Sequence, residues 1–425
     1  TLFPMTDVKS SPPLRVLVSD ELGQVKVVDV AAQYATAARS ATWGTVSAAR
    51  AITSLASLPG EGTRPDALLV GQADGEVSCL QGLNGEAAAP LQPAASGSGE
   101  GVRSVHVVPG SGEPTIVTVS AGGCVRGFAR QPDDGAWAEA WRWQAACKEV
   151  ECSGVDPTGR LLAVGGRGCE LRLHALADGG VAFAGRGGKP SRVGLVDRPW
   201  NTALAFLPPS PAPAGEEEPA GARLVVGTGH HRVRLYDTAA GRRPQLDVGW
   251  GEARITALAS EPSGTRCWVA NGQGQIAVLE LPSGLVVGGI KGAAGSVKAL
   301  TLHPTLPILA SAGLDRTLRL HHTASRKLLA KVFLKSQLTG AAFAAAPPPL
   351  PEAPTLPLPA SGGPGLPSSA AFAHAVQEPA SEPEEARPAA KRPKLIMPSI
   401  KKKPRKGTGP SSSASLGKKR VVVRA

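Results

Sequence analysis

The chain has 425 residues, enough for one large or two ordinary domains, and carries a formal net charge of +12. The charge lies in the last tenth of the chain, because residues 387–425 contain 13 Lys or Arg and no acidic residue, whereas the other 386 residues hold 33 basic and 34 acidic side chains. The six cysteines form no C-x-x-C pair, and no apolar run reaches 18 residues, so the sequence indicates no disulfide framework, zinc motif or membrane span.

Seven copies of one pattern follow one another along the chain. Each copy has an alternating apolar run, a turn, a run that often ends in Val-Gly or Ala-Gly, another turn and a second alternating run. In chain order the copies contain RVLVSDELGQVKVVDV, DALLVGQADGEVSCLQG, SVHVVPGSGEPTIVTVSAGGCVRGFAR, RLLAVGGRGCELRLHAL, RLVVGTGHHRVRLYD, ITALASEPSGTRCWVANGQGQIAVLELPSG and VKALTLHPTLPILASAGLDRTLRLHH. Period-2 alternation indicates strands, and a repeat of about 40–45 residues is typical of a four-stranded propeller blade. We therefore predict an all-β, seven-bladed propeller.

The ends of the repeat array predict how the ring closes. The first copy begins at Leu14 with a second-strand pattern and lacks the strand that precedes it in the other copies. After the seventh copy, Lys331–Lys335 can form the outer strand of the last blade, and Gln337–Phe343 can supply the missing inner strand of the first. Such closure removes open sheet edges. We therefore predict an N-terminal segment at 1–13 and a propeller at 14–344.

The last hairpin, GLDRTLRLHH, resembles a WD-repeat hairpin, in which an Asp in the turn precedes Thr-x-Arg/Lys-x-Trp-Asp. Here His321 and His322 replace the Trp-Asp pair, and Ala293 stands where the preceding loop would carry Gly-His. The resemblance therefore implies that the buried Asp–His–Ser–Trp network of strong WD blades is absent from this blade. Tyr236-Asp237 is the nearest equivalent of a Trp-Asp pair.

Longer segments between Arg198 and Leu338 are similar to the nucleolar WD-repeat family of large-subunit (60S) ribosome assembly factors, the family of Nop-seven-associated protein one and its animal counterpart. The segments that carry this resemblance are RPWNTALAFLP, LVVGTGHHRVRLYD, GRRPQLDVGWGEARITAL, NGQGQIAVLEL, GLVVGGIKGAAGSVKALTLHPTLPILASAGLDRTLRLH and VFLKSQL. VFLKSQL is the most specific element. The resemblance implies a non-catalytic factor that binds nucleolar pre-60S particles, among other assembly factors and pre-ribosomal RNA, and that a hexameric AAA ATPase removes. It also implies a monomer within a large complex, with no cofactor.

The C-terminal tail divides into two parts by composition. Residues 345–386 are rich in Pro, Ala and Ser and predict a disordered linker. Residues 387–425 carry short basic clusters that fit either the groove of a nuclear import receptor or the phosphates of RNA. The predicted nuclear localisation residues are Lys391, Arg392, Lys394, Lys401, Lys402, Lys403, Arg405 and Lys406. The alternative is a tail that only increases solubility.

Surface recognition by the propeller is the favoured function, since no catalytic triad order, Walker loop or carboxylate pair is visible. His230 and His231 are adjacent, so on a strand they point to opposite faces and cannot bind one metal together. The predicted partner or RNA surface comprises Arg198, Trp200, Asn201, His230, Arg232, Arg234, Arg242, Arg243, Arg316 and Lys335. Trp200 fits equally an interface anchor or a buried plug. A generic nuclear WD-repeat adaptor and, less favoured, a propeller enzyme with a central-channel site remain as alternatives.

Overall fold

The computed structural model describes residues 13–58, 66–81, 85–87, 90–91, 100–108, 115–131, 136–188, 197–208 and 221–344. The predicted linker, the basic clusters and all but the last residue of the N-terminal segment lie outside the described residues. The described residues form antiparallel sheets and two single-turn 3-10 segments, Ala32–Tyr34 and Ala48–Arg50. Among them there is no helix with the length and apolar character needed to cross a membrane.

The strands form seven sheets, which are the blades of a propeller. Blade 1 contains β1 (Leu14–Asp20), β2 (Val25–Val30), β3 (Ala37–Trp43) and, as its inner strand, β27 (Leu338–Ala344). Blade 2 contains β4 (Ile52–Leu58), β5 (Ala67–Gln72) and β6 (Val77–Gln81). Blade 3 contains β7 (Val102–Val108), β8 (Thr115–Ser120), β9 (Cys124–Arg130) and β10 (Trp137–Gln144).

The remaining blades follow in chain order. Blade 4 contains β11 (Val150–Val155), β12 (Leu161–Gly166), β13 (Cys169–Ala175) and β14 (Val181–Ala184). Blade 5 contains β15 (Asn201–Phe206), β16 (Arg223–Thr228), β17 (Arg232–Asp237) and β18 (Leu246–Gly249). Blade 6 contains β19 (Ile255–Ser260), β20 (Arg266–Asn271), β21 (Ile276–Glu280) and β22 (Leu285–Ile290). Blade 7 contains β23 (Val297–Leu302), β24 (Ile308–Gly313), β25 (Thr317–His322) and β26 (Leu328–Phe333).

The predicted seven-bladed propeller is confirmed, and so is its closure. β27 pairs with β1 in antiparallel register, with Val16 opposite Phe343 and Ser19 opposite Gly340. Two details differ from the prediction. Blade 2 has three strands among the described residues, followed by an isolated bridge between Leu80 and Ala87. The outer strand of blade 7 is Leu328–Phe333 rather than Lys331–Lys335, because pairing with β25 begins where the preceding turn ends.

The core lies between neighbouring blades, so the middle strands are covered on both faces. Every residue of β24 is buried, and one apolar cluster joins Trp268 of blade 6 to Val297 and Leu309 of blade 7. Small aliphatic side chains fill most of these interfaces, which explains why so few aromatic residues suffice. Outer strands have no such cover, and Leu285 at the rim of blade 6 is 64% exposed.

The antiparallel order of the strands within each blade determines which turns and connections lie at each end of the ring. We call the end where the inner strands begin the upper end. The connections between blades and the turns joining second to third strands also lie there, because successive hairpin turns alternate between ends. The turns joining third to fourth strands lie at the lower end. Each predicted surface residue can therefore be assigned to one end.

Candidate interaction surface

Trp200 joins blade 4 to blade 5 at the upper end. Its indole Nε1 donates a hydrogen bond to Glu151 Oε1 at 2.9 Å, and the guanidinium carbon of Arg167 lies 4.6 Å from the ring centroid. His230 packs against the same indole in an edge-to-face arrangement, with ring centroids 5.8 Å apart. Most of the indole is thus already in contact with the protein's own side chains. This arrangement supports the interpretation of Trp200 as a structural plug.

The Trp200 indole packs directly against the GTGHHR segment and limits which residue can occupy one position in it. A Cβ atom at Gly229 would lie 2.0 Å from the Trp200 ring, so a residue without a side chain is needed there. The Gly229 amide donates to the Trp200 carbonyl at 2.8 Å, and a His230 ring nitrogen lies 3.0 Å from the Arg198 carbonyl oxygen. The glycine therefore serves close packing, and the side chain of Arg198 remains exposed beside it.

Two residues predicted to lie on the surface are buried instead. Asn201 is 1% exposed, and its side-chain amide donates to the Cys169 carbonyl at 3.0 Å. Arg234 is 6% exposed and lies 3.4 Å from Asp247, which also accepts a hydrogen bond from Arg232 at 2.6 Å. These side chains stabilise contacts inside and between blades, so the prediction that Asn201 and Arg234 face a partner is wrong for this structure.

The exposed candidates are divided between the two ends of the ring. Arg316 and Lys335 lie at the upper end, each with a left-handed backbone, φ 63° and 69°. Arg242 and Arg243 follow β17 in the turn at the lower end, where Arg242 donates to the Ala184 carbonyl at 2.7 Å. The predicted residues therefore do not form one patch. Those on the upper end are Arg198, Arg316 and Lys335, which are exposed, and His230 and Arg232, which are partly buried.

The VFLKSQL segment closes the ring through a buried charge pair. Lys26 Nζ lies 3.0 Å from Asp20 Oδ2 and donates to the Leu334 carbonyl at 2.7 Å. The Ser336 hydroxyl donates to the same Asp20 oxygen at 2.7 Å. The Lys26 and Asp20 side chains are only 3% and 0% exposed. The most specific sequence signature is thus a clamp between β1, β2 and the connection to β27, which we call the closure clamp.

The blade 7 hairpin keeps part of the WD-repeat hydrogen-bond network. Asp315 pairs with Arg319 at 2.6 Å and accepts a hydrogen bond from the Ala294 amide at 3.2 Å. His321 occupies the position of the missing Trp and is 2% exposed, and burial lowers its pKa to about 4. An arginine therefore replaces the usual histidine partner of the turn aspartate, and the hairpin is a structural element.

Three residues that the sequence did not single out complete the upper end. Arg167 and Glu151 hold Trp200, and Arg103 Nε donates to the Glu151 carbonyl at 2.9 Å. Their spacing along the chain carries no motif, so sequence periodicity alone could not find them. Within the described ranges, no group of three or more His, Cys, Asp or Glu side chains is placed to hold a metal ion.

Comparison with known proteins found relatives for part of the chain, and no family model matches it. Over 141 residues it is 44% identical to WD repeat-containing protein 74 of Homo sapiens and 46% identical to that of Mus musculus. It is 26% identical over 174 residues to the ribosome biogenesis protein nsa1 of Schizosaccharomyces pombe. The matches to WD repeat-containing protein 74 cover 33% of this chain and 34% of each relative. The match to nsa1 covers 39% of this chain and 43% of that relative. The predicted resemblance is therefore confirmed: the chain is a seven-bladed propeller, and part of its sequence is similar to WD repeat-containing protein 74 and to nsa1.

Proposed function

We propose that this chain is a non-catalytic ribosome biogenesis factor whose propeller acts as a scaffold on nucleolar pre-60S particles during processing and assembly of the large subunit. The observation that carries the proposal is the similarity to a relative named for ribosome biogenesis, combined with a propeller built on the same repeat. A propeller presents loops from all its blades at each end, which suits docking of several partners.

The partners in this proposal are other pre-60S assembly factors, large-subunit pre-ribosomal RNA and an AAA ATPase that releases the protein. The exposed cations at the upper end support contacts with acidic protein partners, and the basic tail supports contacts with RNA phosphates. Release by an ATPase rests on the family resemblance. It predicts that ATP depletion in permeabilised cells increases the fraction of the protein that sediments with pre-60S particles.

Nuclear import through the tail is part of the same proposal. The tail holds most of its basic charge in two clusters separated by a short spacer, a pattern that import receptors recognise. Replacing Lys391, Arg392, Lys394 and Lys401–Lys403 with Ala should shift the protein from nucleus to cytoplasm, measured by fluorescence microscopy. Unchanged nuclear accumulation would contradict import through these clusters.

The scaffold function is tested by purifying the tagged full chain from nuclei and identifying the co-purifying RNA and proteins. We expect large-subunit pre-ribosomal RNA and assembly factors to be enriched. An upper-end variant, Arg198→Glu with Arg316→Glu, should lose most of this association. A lower-end control with the same change in charge, Arg243→Glu with Lys327→Glu, should retain it, since Lys327 follows β25 in a lower-end turn.

Three outcomes would contradict parts of the proposal. Absence of large-subunit precursors from the wild-type purification would exclude the function itself. Equal loss in both charge variants would show that docking depends on overall charge rather than on the upper end. Loss on deletion of 387–425 alone, with nuclear location restored by a grafted import signal, would assign docking to the tail.

A further inference from the structure

Every inner strand carries a β-bulge at its second residue. In blade 3, for example, Val102 and Ser104 pair with the adjacent residues Ser120 and Val119, so the residue between them has no partner in the ladder. The same shift occurs in the other six blades. The seven bulged residues, which we call the bulge ring, are Thr53, Arg103, Glu151, Thr202, Thr256, Lys298 and Thr339. Bulges redirect side chains, and here they do so at the upper mouth of the centre of the ring.

Two of the four threonines of the bulge ring join neighbouring blades, whereas Thr256 and Thr339 form hydrogen bonds within their own blade. The Thr53 hydroxyl donates to the Val102 carbonyl of blade 3 at 2.6 Å, and the Thr202 hydroxyl donates to the Ile255 carbonyl of blade 6 at 2.6 Å. A small hydroxyl is thus sufficient for the structural role of this position. In blades 3, 4 and 7 the bulge-ring residues are charged instead, namely Arg103, Glu151 and Lys298. That structural role does not require a charge.

The cations at this mouth lack acidic partners. Arg103 is exposed, Lys298 is half-buried, and neither forms an ion pair with a carboxylate in the part of the chain that the structure describes. The same holds for Arg254, which immediately precedes β19 and is exposed. Glu151, the acidic member of the bulge ring, is already engaged by the Trp200 indole and lies 3.7 Å from Arg167. The mouth therefore carries an excess of positive charge, with three cations against the single Glu151 carboxylate.

The three cations influence one another across the centre of the ring. Burial, and then the charges of Arg254 and Arg103, lower the pKa of Lys298, although these residues belong to blades 7, 6 and 3. The Glu151 carboxylate acts in the opposite direction on the pKa of Lys298, but three positive charges near a single negative charge still repel one another and oppose folding to a small extent. An anionic group bound among them would relieve that repulsion, and Arg103 is already held by its hydrogen bond to the Glu151 carbonyl.

We propose that Arg103, Arg254 and Lys298 form a docking site for an acidic segment of a partner protein, with Asp or Glu side chains entering the upper mouth of the bulge ring. The site deepens the proposed scaffold function and rests on it for the existence of such a partner. Arginine can bind a carboxylate through two parallel hydrogen bonds, and Lys298 offers a point charge beside it.

Protein carboxylates fit this mouth better than RNA does. Because the bulge ring also holds the Glu151 carboxylate, its cations can accommodate a few separated negative charges better than the closely spaced phosphates of a nucleic acid strand. The nearest indole, Trp200, packs against Gly229, Arg167 and His230, which restricts the stacking of a base on it. A ring of four Thr and three charged side chains suits one extended peptide carrying a few separated negative charges.

The test compares two variants of the full chain that lose the same charge at opposite ends of the same blades. The mouth variant is Arg254→Gln with Lys298→Met. The control variant is Arg266→Gln with Lys327→Met, two exposed residues of the lower end in blades 6 and 7. The probes are a fluorescent 12-residue Gly/Ser peptide with three Glu residues, its Gln counterpart, and a fluorescent 12-nucleotide single-stranded RNA. Because both variants keep the basic tail, its contribution to binding cancels in the comparison.

We expect the mouth variant to bind the Glu peptide at least about tenfold more weakly than the control variant does, as loss of charge-assisted hydrogen bonds implies. The Gln peptide should bind neither variant measurably, and RNA should bind both equally. Saturating Glu peptide should also protect Lys298, but not Lys327, from acetylation read out by mass spectrometry. Thermal unfolding should show the mouth variant to be at least as stable as the control, because it removes like-charge repulsion.

Equal affinity of the two variants for the Glu peptide would overturn the proposal. A mouth variant that loses RNA binding but keeps peptide binding would show that the site takes phosphates, which also overturns it. Neither result would affect co-purification with pre-60S particles, so failure of this inference is distinguishable from failure of the proposed function.

Discussion

At the residue scale, the closure clamp makes the stability of the ring sensitive to the loss of either member of one buried charge pair. Lys26→Met would leave the Asp20 carboxylate buried without its cation, and breaking a buried pair in this way typically costs about 3–5 kcal/mol. We expect a large fall in the urea midpoint. The double variant Asp20→Asn with Lys26→Met should recover part of the loss, since it removes the unpaired charge. Arg142→Gln, which breaks an exposed pair with Glu139, should leave the midpoint unchanged.

Two histidines of the propeller predict how the stability of the fold depends on pH. Burial lowers the pKa of both His106 and His321 to about 4, whereas an unfolded histidine titrates near about 6.5. The unfolded chain therefore binds more protons between these values, so stability is full above about pH 6.5 and falls as the pH is lowered toward 4. Each histidine should cost about 2 kcal/mol at pH 5. His321→Leu should reduce the loss between pH 7 and pH 5 in urea titrations, and an unchanged loss would contradict this assignment.

At the scale of elements, sequence periodicity predicted the features that repeat from blade to blade. It missed the features that depend on contacts between blades. Closure by β27 was predictable because the first repeat visibly lacks an inner strand. Period-2 alternation cannot reveal the single extra residue that places Arg103 or Lys298 in the bulge ring. The burial of Asn201 and Arg234 depends on residues about 32 and 13 positions away, which no local pattern specifies.

Closure by a strand from the far end of the chain makes β27 essential to the whole ring. Deleting the chain from Lys335 onward should lower the unfolding temperature sharply, because blade 1 loses its inner strand and β1 is left as an open edge. Deleting it from Pro347 onward removes no described strand and should leave thermal unfolding almost unchanged. Calorimetry of both truncations is the measurement. Equal unfolding temperatures would show that β27 is dispensable.

At the scale of the whole molecule, charge is divided between a nearly neutral propeller and a strongly basic tail. This division of charge predicts that the tail and the propeller bind their partners in different ways. The tail has many cations and no aromatic residue among them, so any RNA contact there is ionic and independent of base sequence. The propeller holds its exposed cations in fixed positions on a rigid ring, which is what specific recognition of a partner surface requires.

This division predicts opposite effects of two changes to the full chain. Binding through n phosphates weakens with salt at a log–log slope of about −0.7n for single strands. Deleting residues 387–425 should therefore flatten the salt dependence of RNA binding in vitro, while docking on pre-60S particles, with a grafted import signal, is only partly weakened. Arg198→Glu with Arg316→Glu should abolish docking and leave the salt slope nearly unchanged, because the tail is intact. Filter binding across a salt series measures the first effect and co-sedimentation the second. If the upper-end variant flattens the salt slope as strongly as the tail deletion does, RNA binding is not confined to the tail and the division is wrong.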